Sequence, residues 1–141
     1  MNTVTLPLAP LLHLKRTHPL STCYRIDEGA GIVRVTYHAQ PSVDEWSETM
    51  ERIFADPLFQ HGFGVLLDRR SIVEVAETAY VTNAVQFIDR HLVNSTRWAI
   101  LVSNPAAFGM GRMSEFLCKD ENAIRSFWDE QEAVDWLRLA R

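Results

Sequence analysis

No complete catalytic or metal-binding motif stands in this sequence, and no uninterrupted apolar run approaches the ~20 residues that span a bilayer. Cysteine is scarce. Cys23 and Cys118 are too few for a disulfide framework in a chain of 141 residues, and they read as free thiols of a reducing, cytoplasmic compartment. Neither sign of charge dominates: 14 Lys and Arg against 18 Asp and Glu leave a net charge of −4, without the basic excess of a nucleic-acid binder. Trp46, Trp98, Trp128 and Trp136 are too dispersed to form a stacking platform for bases. No two of the five histidines have the i, i+4 spacing of a helical metal pair. Ser71 and Ser103 lack the Gly-x-Ser-x-Gly elbow of a nucleophile, and Gly109-Met110-Gly111 fits neither a phosphate loop nor a dinucleotide fingerprint. No cofactor or metal is therefore expected, nor a membrane span or a nucleic-acid partner.

Residues 6–14 are apolar, but Pro7 and Pro10 interrupt them, and the basic Lys15 and Arg16 follow the run instead of preceding it. A secretory signal has the opposite polarity. Residues 1–20 are read as an arm that packs on the domain or on a partner subunit, or is partly disordered, and residues 21–141 as a single domain large enough to bury a core.

What is present is a rhythm of short apolar stretches, each followed by a capped amphipathic pattern. Residues 22–27 and 32–37, joined by Glu28-Gly29-Ala30-Gly31, read as an antiparallel hairpin. Ser42 with Glu45 makes a capping box, and Val43, Trp46, Met50, Ile53 and Phe54 form one stripe that Asp56-Pro57 ends. Residues 63–67 and 98–102 are apolar on both faces, as strands covered on both sides are. Between them Val81, Ala84, Val85, Ile88 and Leu92 form a helical stripe, with Glu77 or Thr78 at its cap. Asn104-Pro105 opens a helix carrying Met110, Met113 and Leu117, in which Gly109 and Gly111 suggest a close backbone approach or an irregular first turn. Residues 123–128 read as a more polar edge strand, and Asp129 with Glu132 caps a last helix through Ala133, Trp136, Leu137 and Ala140. Strands alternating with helices imply an α/β fold: a hairpin, then repeated β-α units, giving a mixed, mostly parallel sheet of about five strands with about four helices.

Val65-Leu66-Leu67-Asp68-Arg69-Arg70, Arg97-Trp98-Ala99-Ile100-Leu101-Val102-Ser103, Gly109-Met110-Gly111-Arg112-Met113 and the stretch 127–137 resemble segments of a small bacterial set of STAS-like proteins. The element order resembles the STAS domain of anti-sigma-factor antagonists, the SpoIIAA-like fold, over roughly residues 22–140. That resemblance implies a non-enzymatic interaction module that binds a protein partner or itself. The same fold group includes lipid-binding CRAL/TRIO domains, which implies the alternative of a small anionic or lipid-like ligand. In true antagonists a Ser or Thr at the start of the helix after the central strand is phosphorylated, within an Asp-Ser-Ser-Gly-like run. The equivalent stretch here is Val75-Ala76-Glu77-Thr78-Ala79, without the Asp-Ser pair. Thr78 is the candidate acceptor, and Glu77 supplies a negative charge that mimics the modified state or simply favours the helix dipole.

Asp68, Arg69 and Arg70 leave one buried strand at its carboxyl end, and Ser103 and Asn104 leave the next at the same edge, where α/β sheets bind ligands. Arg offers a forked donor to phosphate or carboxylate, and a helix N-terminus attracts anions. Met110, Met113, Phe108 and Phe116 form a soft apolar group suited to core packing or to a pocket between the third helix and the sheet, with Arg69 or Arg112 holding an anionic head. An acid–base pair of His38 with Asp68 is a third, weaker combination.

Overall fold

The computed structural model describes residues 21–92 and 96–139, so the N-terminal arm lies outside the described residues. Strands β1 (Thr22–Asp27) and β2 (Ile32–Tyr37) pair antiparallel from Thr22 opposite Tyr37 to Asp27 opposite Ile32. The reversal between them depends on Gly31, whose φ of 69° lies in the left-handed region that a side chain disfavours. Its amide donates to the Asp27 carbonyl at 2.8 Å, and the Asp27 side chain accepts from the Ala30 amide at 3.1 Å.

Helix α1 (Val43–Ala55) starts at the reciprocal box the sequence predicts: Glu45 N donates to Ser42 Oγ and Ser42 N to Glu45 Oε1, each at 3.1 Å. Strand β3 (Gly64–Asp68) is followed by helix α2 (Thr78–Arg90), strand β4 (Trp98–Leu101), helix α3 (Pro105–Leu117), strand β5 (Ile124–Phe127) and helix α4 (Glu130–Leu139). At α4 the Glu132 amide donates to Asp129 Oδ2 at 2.9 Å, the expected cap.

The five strands lie in the order β1-β2-β3-β4-β5, with β2 to β5 parallel and only β1 antiparallel. Each β-α-β unit therefore steps one strand across the sheet. With crossovers of one hand, α1, α2 and α3 share one face. Strand alternation then sorts the core into two layers. Val33, Val35, Val65, Leu67, Trp98, Ile100 and Ile124 pack with α1 and α2 residues, including Trp46, Met50, Ile53, Val85 and Ile88. Ile32, Leu66, Ala99, Leu101 and Phe127 pack with Ala133, Trp136 and Leu137 of α4. β3 is central and fully covered, as its apolar run predicts.

Two expectations need correction. β5 is an edge strand and carries Arg125 and Ser126, but it is not an exposed one: Ile124, Ser126 and Phe127 are buried, because α3 and α4 cover its two faces. The stripe of α3 is also not a buried one. Gly111 is its only buried residue, whereas α1 and α2 bury four each. Among the described residues no helix is long and apolar enough to cross a membrane.

Candidate functional site

The carboxyl edge of the sheet divides the expected cluster between its two faces. Asp68 and Arg70 lie on the α4 side. Arg70 grips Asp68 in a fork, Nε to Oδ1 at 3.0 Å and Nη2 to Oδ2 at 2.8 Å, and also reaches Glu130 Oε1 at 3.0 Å. Arg34 donates to Glu130 Oε2 at 2.6 Å and stands 3.9 Å from Asp68. Two cations and two carboxylates thus neutralise one another and clasp the first turn of α4 to β2 and β3. Ser103 Oγ donates to the Arg70 carbonyl at 2.9 Å, which holds the same loop. Asn104 Oδ1 accepts the Ala107 amide at 2.8 Å, with Pro105 at the first helical position. The N-terminus of α3 is thus capped from within the chain. In this geometry Asp68, Arg70, Ser103 and Asn104 all bond within the chain.

Burial alone would raise the Asp68 carboxyl, but the Arg70 hydrogen bonds and the nearby Arg70 and Arg34 charges hold it below the usual range. Folding then favours the ionised form. Its contribution to stability is complete above the unfolded carboxylate value, near about 4, and disappears as pH falls through the lower folded value. Asp68→Asn is expected to lower stability at neutral pH and to flatten the fall between neutral and acid conditions. Thermal midpoints recorded across that range for both proteins test this, and identical slopes would refute it.

Arg69 points to the other face. Its guanidinium lies over the ring of Tyr37, 5.0 Å from the centroid, and 5.8 Å from that of Tyr80, and it hydrogen-bonds the Gln40 side-chain oxygen. It stands at the mouth of a cavity of ≈ 60 Å³ between the sheet, α2 and α3. Leu67, Trp98 and Ile100 floor the cavity, Val81, Ala84 and Val85 wall it from α2, and Met110 and Gly111 wall it from α3. Polar groups gather near Arg69. The Tyr37 ring is fully buried and its hydroxyl accepts the Trp46 indole N–H at 2.9 Å. The buried Tyr80 hydroxyl, beside Arg69 and Gln40, has no hydrogen bond of good geometry among the described residues. Burial pushes its ionisation up to about 12 and raises that of Tyr37 further, so both stay protonated near neutrality.

Tyr37, Tyr80, Ile72 and Glu74 were missed as site residues in the sequence. Of the expected lining, Met110 is present. Met113 packs against the core without lining the cavity, and Arg112 is exposed and faces Glu115 at 3.5 Å. Phe116 is 88% exposed. Arg69, not Arg112, is the cation at the mouth. The two glycines of α3 also part company. A Cβ on Gly111 would stand 2.1 Å from Ser126 Oγ and 3.1 Å from its Cβ, so α3 touches β5 there, whereas nothing lies within 4 Å of a Cβ on Gly109. Gly109→Ala is expected to stabilise the protein by about 0.5–1 kcal/mol through helix propensity. Gly111→Ala is expected to destabilise it by about 1–2 kcal/mol, because overpacking outweighs that gain. Urea midpoints of the two variants moving in the same direction would contradict this contact.

His38 turns away from Asp68: its Nε2 lies 3.7 Å from Cys23 Sγ on β1, and Asp68 is committed to Arg70. Thr78 is exposed on the first turn of α2, and the N-cap is Glu77, whose side chain makes no capping bond. Both cysteines are free, and Cys118 donates to Asp89 Oδ1 at 3.3 Å. No protein-family model matches the chain, and no curated protein matches it.

Proposed function

We propose that this chain is a non-catalytic binding module of STAS-like type, and that what it binds is a small ligand held in the cavity between the sheet, α2 and α3. The observation that carries the reading is the Tyr80 hydroxyl: a buried donor beside Arg69 and Gln40, with no acceptor of good geometry among the described residues, is costly unless something takes its proton. The hairpin followed by β-α units that step one strand at a time supports the STAS-like part. The ionic groups at the neighbouring edge are satisfied by one another, which leaves them no evident chemistry. A cavity of this size suits a small molecule and not a lipid tail. Native mass spectra of the purified full chain test the reading. An added mass on the folded protein, lost on denaturation, is the expected result, and a bare mass from every preparation would overturn it.

One observation favours protein association as a second reading. α3 buries only Gly111, with Phe116 88% and Leu117 42% exposed, and the Phe108 ring stacks on a half-exposed Trp128 at 5.0 Å. Self-association through this face would appear as a concentration-dependent dimer in sedimentation, lost in Phe116→Ser.

A further inference from the structure

We propose that the cavity is a site for a short monocarboxylic acid, with its carboxylate on Arg69 and the hydroxyls of Tyr37 and Tyr80 and its apolar body against Ile72, Val81 and Met110. The inference rests on the reading of this cavity as a ligand site and names the ligand's chemistry.

Arg69 is the cation on the described lining of the cavity. It is partly buried between two aromatic rings, its described hydrogen bond goes to the neutral Gln40, and it joins none of the ion pairs among the described residues. Carboxylates are not scarce at this edge. Asp68 is its chain neighbour, but strand alternation turns Asp68 to the opposite face and into the grip of Arg70. A guanidinium stripped of part of its water presents a planar fork that matches a carboxylate. The Tyr80 hydroxyl, buried and with no acceptor of good geometry among the described residues, supplies a donor beside it. The Tyr37 hydroxyl accepts from Trp46, and no described residue accepts its proton. Both phenols remain protonated and able to donate.

One cation and two neutral hydroxyls match a single negative charge. Glu74, also on the lining, opposes any added negative charge, and a phosphate dianion more strongly than a carboxylate. The volume of ≈ 60 Å³ has room for roughly four to six water-sized centres, enough for a short aliphatic body and too little for an acyl chain.

The test is a two-dimensional amide NMR titration of the full chain with sodium butyrate, 1-butanol and inorganic phosphate in parallel. Butyrate is expected to shift the amides of Ile72, Tyr80, Val81 and Met110 saturably, more tightly than butanol or phosphate. Arg69→Gln is expected to weaken butyrate binding by at least about tenfold and to leave butanol unaffected. Tyr80→Phe is the second variant. It removes a hydroxyl with no hydrogen bond of good geometry among the described residues, so it should fold about as stably as the parent and still bind butyrate several-fold more weakly. Butanol binding as tightly as butyrate, with Arg69→Gln indifferent, would overturn the carboxylate assignment and leave the ligand-cavity reading standing. Phosphate binding as tightly as butyrate would overturn the assignment in favour of a general anion site. Absence of saturable shifts at these amides with every probe would overturn both.

Discussion

Trp98→Ala is expected to lower stability by about 3–5 kcal/mol, the range for removing a large buried aromatic. Trp98 opens β4, is 2% exposed and belongs to the three-helix layer of the core. Its ring meets Trp46 at 6.1 Å, tilted by 34°, and Phe54 edge-on at 6.1 Å, so one side chain ties β4 to α1. Deleting it removes that tie and merges the new void with the neighbouring cavity, which Trp98 helps to line. Neighbours on a paired central strand cannot close such a gap by sliding, which places the cost high in the range. For a domain whose total stability falls in the usual window of about 5–15 kcal/mol, the variant would be marginal. Urea denaturation followed by far-ultraviolet circular dichroism measures the loss. Indole added to the variant should recover part of it by mass action on the enlarged cavity. A loss below about 1 kcal/mol would mean that β4 and α1 do not meet through this ring.

The elements were legible because local and global signals agree. The Ser42–Glu45 box, the Asp56 stop, Asn104-Pro105 and the Asp129–Glu132 cap are each written in side chains that act within four residues. The doubly apolar 63–67 run announced a central strand because both faces of β3 are covered, by α1–α3 and by α4. The site was less legible, for a reason visible at Asp68-Arg69-Arg70. These three are adjacent in sequence, but alternation sends Arg69 into the cavity and its two neighbours to the α4 clasp. That signal was available, since a period of two forbids three consecutive side chains from sharing a face. Tyr80 gave no comparable signal: it sits beside Val81 on an amphipathic helix, where a tyrosine reads as ordinary packing. Tyr37 likewise reads as the end of a β-branched strand. Phe116 and Leu117 misled because helical spacing says which residues share a face, not how deeply that face is buried. Contact at Gly111 brings the backbone of α3 close to β5, and Phe116 and Leu117 are left outside.

Leu66→Ala should report on the other layer, at an expected cost of about 2–5 kcal/mol. Leu66 is fully buried at the middle of β3, opposite Arg34 on one neighbour and Ala99 on the other, and it packs in the cluster that α4 closes. Among the described residues that face differs from its counterpart in having one ten-residue helix as its cover. Apolar contact through Ala133, Trp136 and Leu137 is its main hold, because an isolated helix of this length is unstable in water. Polar ties guide it. Glu130 takes Arg34 and Arg70 at one end, and further along Arg97 donates to the Trp136 carbonyl at 2.9 Å with its guanidinium 4.2 Å from the Trp136 ring. Partly exposed ion pairs of this kind are individually weak, so they set the position of α4 more than its stability. The cavity left by Leu66→Ala should therefore weaken α4 ahead of α1–α3. Hydrogen exchange is the discriminating measurement: amides of α4 should lose protection through local opening while those of α1 change only by the global loss. Equal loss in α1 and α4 would show that the two layers open as one unit and that α4 is not the weaker cover.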